Sequence, residues 1–202
     1  VISGYQKDTK VSSIARLNPA LQRLLRQNSR LLFVREKRNG DAKEYYHGDR
    51  VIYINSNSYD ICRYIPNGPN SFKAVVTAGI VNGDVGKLVG VLKAEDVKIS
   101  DCRPSDYAPG SDLRGDLTDD DIKELFLRRE ERKDSLRKDD AYKGKDLYFV
   151  AIQTYDTDLK RDVLVFLRAR GKDLGGTLAL SGGDLENLDL AYALTTHKMQ
   201  GS

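Results

Sequence analysis

Seven polar or small residues crowd the end of the chain: Thr195, Thr196, His197 and Lys198, then Gln200, Gly201 and Ser202. The two threonine hydroxyls, the Lys198 ammonium and the backbone N–H groups of Gln200 to Ser202, at what reads as the start of a helix, are all suited to phosphate oxygens. Directly before them, Leu188, Leu190, Ala191, Tyr192, Ala193 and Leu194 form an apolar run that reads as a buried strand. In open α/β sheets the crevice beyond the carboxyl ends of strands is where ligands bind, so this junction is a candidate phosphate site. A strand-to-helix turn without a ligand is the plainer reading of the same residues.

Other chemistries have little to build on. Cys62 and Cys102 do not stand in a CxxC spacing, and His47 and His197 are the two histidines of the chain, so no metal-ligand cluster can be composed. Reduced thiols in a cytoplasmic protein fit this usage, and His47 reads as a surface or turn residue. No Gly-x-x-x-x-Gly-Lys-Ser/Thr occurs, so the chain has no phosphate-cradling loop of its own. At 202 residues with 40% hydrophobic content, the chain is long enough to bury a sizeable core. There is no run of eighteen apolar residues and the first residues do not resemble a signal peptide, so a soluble protein without a membrane partner is expected. The net charge of +3 is too small to argue nucleic-acid binding by itself. Its distribution is uneven: residues 1–55 hold 11 Lys and Arg against 5 Asp and Glu. A basic segment facing an anionic partner and a merely solvated surface account equally for that excess.

The elements that must position the tail follow from pattern. Val1 to Gly4 reads as the exit of a strand. Asn18-Pro19 supplies a helix start, with Asn as N-cap and Pro in the first helical position, and predicts a helix over 19–28. Its Leu21, Leu24 and Leu25 form a stripe for the core, and Arg23, Arg26 and Arg30 lie on or near the opposite face. Strands are expected at 31–34 and 45–46 around the turn dipeptide Asn39-Gly40, then at 51–54, 59–65 and 72–76. Asn82-Gly83 between two β-branched arms is the strongest hairpin signal, and Gly86 and Gly90 in its second arm predict bulges or close backbone approach. Short strands at this spacing predict a small antiparallel β-barrel. Residues 101–116 read as a surface loop. Thr118 with Asp119, Asp120 and Asp121 then opens a charged helix, near 118–138. A further hairpin is expected around Asp156-Thr157-Asp158. Tyr45, Tyr46, Tyr53, Tyr59 and Tyr64 either stack bases on a barrel face or fill core and edge-strand positions, the commoner use.

Three stretches carry a resemblance. Ala191-Tyr192-Ala193-Leu194-Thr195-Thr196-His197-Lys198-Met199-Gln200-Gly201-Ser202 resembles motif V of superfamily-one DNA helicases of the RecD/TraA type. Gly48-Asp49-Arg50-Val51-Ile52, followed by Asn82-Gly83-Asp84-Val85-Gly86, resembles the signatures of the Src-homology-three-like barrel inserted in the second RecA-like domain of those enzymes. Leu17-Asn18-Pro19-Ala20-Leu21-Gln22 is similar to the helix that precedes the insertion, and the three stretches occur in the family's order.

The resemblance implies an α+β chain: a partial RecA-like α/β lobe from 1–45 and 176–202, with a small antiparallel β-barrel inserted over 46–175 and a helical excursion near 118–138. The segment between the barrel signatures and motif V is longer than the family needs, the charged helix being the excess. The implied function is part of an ATP-dependent 5′ to 3′ DNA helicase. Thr195, Thr196, His197, Lys198 and Ser202 would face the backbone of single-stranded DNA, and Gln200 and Gly201 would report on the γ-phosphate. ATP and magnesium belong to the parent enzyme, with the rest of the motor, and a replication or transfer complex, as further partners. Without a phosphate loop, and with the family's next motif expected past Ser202, the chain reads as a fragment not expected to bind or hydrolyse ATP alone. The alternative is a non-catalytic interaction module, such as the secretion-recognition region of a conjugative relaxase-helicase, for which residues 48–54 would be the stretch to suspect.

Overall fold

The structure, a computed structural model, describes residues 2–3, 14–26, 28–36, 42–54, 62–76, 83–101, 146–157 and 159–195. The charged helix expected near 118–138, Asn82, Tyr59 and site residues Thr196, His197, Lys198, Gln200, Gly201 and Ser202 lie outside them. What is described is a mixed α+β chain, mostly strand, with one α-helix and a sheet curled into a half-barrel. No described helix is long and apolar enough to cross a membrane.

In chain order the elements are β1 (Ile2–Ser3), α1 (Ile14–Leu25), β2 (Leu31–Glu36), β3 (Ala42–Tyr46), β4 (Arg50–Tyr53), β5 (Cys62–Pro66), β6 (Ser71–Val76) and β7 (Val85–Lys93). There follow β8 (Lys98–Asp101), β9 (Asp146–Asp156), β10 (Arg161–Asp173), β11 (Leu178–Ser181), β12 (Leu188–Leu190) and β13 (Leu194–Thr195). Eight strands form a continuous path in the order β12-β4-β7-β9-β10-β11-β2-β3, and β5, β6 and β8 extend from β10 as a flap, giving eleven strands in all. Most pairs are antiparallel; β11–β2 and β6–β8 are parallel. The ranges expected in the lobe (β2, β3, β11, β12) and those expected in the barrel (β4 to β10) thus share one sheet. A separate parallel pair joins Ile2 to Leu194 and Ser3 to Thr195.

The hairpin expected around residues 156–158 is present as β9–β10, the longest ladder in the molecule. Side chains alternate across it with a period of two. Val150, Ile152, Val165 and Leu167 enter a core with Phe33, Tyr45, Leu88 and Leu180. Phe149, Ala151 and Phe166 enter a second core with Tyr64 and Phe72 under the flap. Phe166 stacks on Tyr64 at 4.4 Å between centroids and meets Phe72 edge-on at 5.0 Å. Three of the five tyrosines considered for base stacking, Tyr45, Tyr53 and Tyr64, are core residues.

The two glycines of the second hairpin arm divide the roles expected of them. A β-carbon on Gly86 would stand 2.4 Å from Ile152 and 2.8 Å from the Gln153 carbonyl, so Gly86 permits the close approach of β7 to β9. Gly90 has open space around it, at the register shift between Leu88 and Gly90.

Two expectations are corrected. The helix begins at Ile14, so Asn18 is no N-cap and Pro19 lies inside the second turn, where it forgoes one ladder hydrogen bond. The leucine stripe is not core: Leu24 is 72% and Leu25 58% exposed, while Asn18 and Gln22 on the neighbouring face are buried. The reason is what α1 packs against. The end strands β3 and β12 approach each other through Lys43, which pairs with Asp189, while Arg35 of the neighbouring β2 donates to the carbonyls of Leu188 and of Leu185, just before β12. The Tyr45 hydroxyl donates to the Leu188 carbonyl at 3.4 Å. α1 spans this seam, Gln22 donating to the carbonyl of Glu44 on β3 at 3.0 Å and Asn18 to that of Leu190 on β12 at 2.8 Å. Strand edges present unpaired carbonyls, so the helix face that covers them must supply donors rather than methyl groups.

The apolar run 188–194 is also not one strand. β12 runs antiparallel to β4, the chain bends at Ala191 to Ala193, and β13 then leaves parallel to β1.

Candidate functional site

The turn from β3 to β4, itself part of one resembling stretch, is a hub to which side chains of the other two bond directly. Gly48 holds φ at +89°, a left-handed conformation that glycine adopts without strain. This brings the Gly48 N–H to the Leu88 carbonyl at 2.7 Å and the Asp49 carbonyl to the Leu88 N–H at 2.8 Å, locking the turn onto β7. Asp49 is then 1% exposed. Its Oδ2 accepts from the Tyr46 N–H at 2.8 Å and from Gln22 Nε2 at 2.7 Å, and its Oδ1 accepts from the Tyr192 hydroxyl at 2.8 Å. A buried carboxylate is tolerable when its lone pairs are engaged, and here three donors from three separate elements engage them. Burial, and then the bond to Asp49, raise the Tyr192 hydroxyl above the ordinary tyrosine range.

Asn18 performs the matching task one turn earlier on α1. Its Nδ2 donates to the Leu190 carbonyl, and its Oδ1 accepts from the Ala193 N–H at 2.7 Å. The single side-chain amide spans the bend that interrupts the 188–194 run. The Ala191 N–H donates to the Arg50 carbonyl at 2.8 Å, so the bend is also tied to the barrel turn by backbone. Asn18 and Gln22, four residues apart on one helix face, thus hold the end of β12 and the barrel turn together.

The second barrel signature lies on another strand connection. Gly83, at φ +98°, donates its N–H to the Tyr53 carbonyl, and the Asp84 carbonyl accepts the Tyr53 N–H. The Arg63 guanidinium stands between Asp84 at 3.8 Å and Asp156 at 3.7 Å, in a shallow hollow beside Val85 and Thr154. Arg50 is exposed next to Lys87, its partner across β4 and β7.

Of the tail residues, Thr195 is placed on β13 opposite Ser3. Among the described residues no group of three His, Cys, Asp or Glu could hold a metal ion. Both oxygens of Asp49 accept hydrogen bonds, and the three donors tie α1, β3 and the 191–193 bend to one buried side chain. From the sequence, Asp49 stands out as a signature residue, Asn18 reads as an N-cap, and Gln22 and Tyr192 stand out only as members of the resembling stretches. The available signal was an Asn and a Gln at a four-residue spacing beside a leucine stripe, two polar groups where a core helix would carry none. Comparison of the chain with protein-family models, curated proteins and solved structures finds no match to any of them.

Proposed function

We propose that this chain is the part of an ATP-dependent 5′ to 3′ superfamily-one DNA helicase motor that grips the single strand and couples that grip to the nucleotide, with a barrel inserted into a RecA-like lobe. The observation that supports the reading is the meeting of the resembling stretches. Gln22 of the Leu-Asn-Pro-Ala-Leu-Gln helix and Tyr192 of the motif V-like stretch both bond Asp49 of the Gly-Asp-Arg-Val signature, within 2.7 and 2.8 Å. Gln22 and Tyr192, 170 positions apart, share one buried carboxylate, so stretches that resemble the family separately are packed together as one unit.

In this reading Thr195, Thr196, His197, Lys198 and Ser202 contact phosphates of single-stranded DNA, and Gln200 and Gly201 sense the γ-phosphate. ATP and its magnesium would be held by the phosphate loop of the parent motor, in the cytoplasm. This chain's share is electrostatic and positional, as most of phosphoryl-transfer catalysis is. The test is fluorescence anisotropy of a labelled oligodeoxythymidylate across a salt series. Binding without sequence preference that weakens as salt rises is expected, and Lys198→Ala lowers the slope of log K against log salt by about 0.7. No binding at low salt, or binding indifferent to salt, refutes the proposal.

A further inference from the structure

We infer that Tyr192, Asp49 and Asn18 are positioning residues that fix the 191–193 bend and, with it, the direction in which β13 leaves the turn between β3 and β4. The inference rests on the function proposed above for the tail, and it assigns that function a mechanical origin.

Three observations carry it. First, the strand that leads into the tail is broken. β12 ends at Leu190, and among the described residues the two-residue pair of β13 with β1 is the ladder that sets the exit direction. A two-residue parallel pair is too short to hold a direction alone. Second, the bend between them is fastened by side chains from elsewhere: Asn18 grips both of its ends, and the Tyr192 hydroxyl reaches Asp49. Third, Asn18 and Asp49 are buried and hydrogen-bonded, and the Tyr192 side chain that reaches Asp49 is part-buried. Asn18 is 2% and Asp49 1% exposed, and Asp49 is itself fixed by Gln22 and the Tyr46 N–H. A fully bonded buried network has one low-energy arrangement, and any other leaves a donor or acceptor unpaired. The direction in which β13 leaves the molecule is thereby made a property of the barrel turn.

Tyr192→Phe removes only the hydroxyl that links the tail to Asp49, leaving Gln22 and Tyr46 in place. It is expected to weaken oligodeoxythymidylate binding about fivefold, the equivalent of one hydrogen bond to a charged group partly expressed in affinity. Amide exchange over residues 191–195 rises, while β9 and β10 keep their protection. Asp49→Asn retains most of the affinity, since an amide can still accept from Gln22 and donate to the Tyr192 oxygen; Asp49→Ala does not. Val163→Ala, a core change in β10, lowers the melting temperature without changing affinity.

If wild type binds and Tyr192→Phe binds equally well, the positioning role is overturned and the proposed function stands. If wild type does not bind, the proposed function falls. The exchange measurement then decides the mechanical claim by itself: unchanged protection over 191–195 in Tyr192→Phe overturns it.

Discussion

Substituting alanine at Gly86 and at Gly90 should have opposite effects, although the two lie four residues apart in one strand. At Gly86 the new methyl group would stand 2.4 Å from Ile152 Cγ2 and 2.8 Å from the Gln153 carbonyl oxygen. Carbon atoms prefer to sit about 3.5–4.0 Å apart, so the first overlap is about 1.1–1.6 Å. Ile152 is 2% exposed and packed in the main core, so it has nowhere to retreat. Relief must come from moving β7 away from β9. That adds the loss of about one ladder hydrogen bond near Lys87 and Gln153, about 1 kcal/mol, to an overpacking cost of about 1–3 kcal/mol. Gly86→Ala is therefore expected to cost about 3 kcal/mol. At Gly90 a β-carbon meets nothing within 4 Å and the backbone is not left-handed. Gly90→Ala should be neutral or stabilise by up to about 1 kcal/mol, because alanine restricts the unfolded chain. Urea unfolding followed by far-ultraviolet circular dichroism measures both, and is well suited to a chain without tryptophan. With a slope of about 3 kcal/mol per molar urea, the Gly86 variant should unfold about 1 M earlier than wild type. If it unfolds with or after wild type, or if Gly90→Ala is equally damaging, the described fit of β7 against β9 is wrong.

Three further outcomes follow from the same geometry. Gly183→Ala should destabilise by about 2 kcal/mol or more in thermal melts, because Gly183 holds φ at +62° and a β-carbon would stand 2.3 Å from the Arg168 carbonyl, next to the Arg168–Asp184 ion pair at 2.9 Å. Burial works to raise the Asp189 carboxyl, but the Lys43 ammonium and the Leu190 N–H outweigh it and hold the group below the usual carboxylate range. A lowered native value means stability that is present above about pH 4 and lost as the pH falls through that lowered value. Urea midpoints between pH 2 and 6 should therefore show an acid loss of at most about 1 kcal/mol that Lys43→Met removes. Leu24→Ser and Leu25→Ser should each change stability by no more than about 0.5 kcal/mol, whereas Gln22→Leu should cost about 2 kcal/mol by unpairing Asp49 and the Glu44 carbonyl. Chemical denaturation of the three variants checks this reversal of the usual helix pattern.

The strands were legible because their information is local: β-branched runs bounded by Asn-Gly, Gly-Asp and Pro-Asn-Gly turns mark β3 to β7, and the β9–β10 hairpin announces itself around Asp156. Periodicity also found α1, but it reports which face of a helix is apolar, not which face is covered. α1 lies over strand carbonyls, so Asn18 and Gln22 went inward and Leu24 and Leu25 outward. The break at 191–193 left no trace in composition, since Ala-Tyr-Ala suits a strand; it exists because Arg50 and Asn18 take its backbone groups. Which strands neighbour one another was the least legible feature. β11 beside β2 and β12 beside β4 join residues more than 130 positions apart, and no short-range pattern encodes such pairings. Asp49 could be singled out by its motif, yet its three donors come from α1, β3 and the 191–193 bend, and only folding assembles them.

The seam between β3 and β12 bears on how the molecule behaves among its own copies. A sheet that curls without closing ordinarily leaves two strands able to recruit a strand from another molecule and so begin an aggregate. Here the carbonyls of Glu44, Leu188 and Leu190 are already claimed by Gln22, Arg35 and Asn18. A full barrel obtains the same protection from a continuous ladder. At the β3–β12 seam that protection rests instead on three separate side chains, each of which a single substitution can remove.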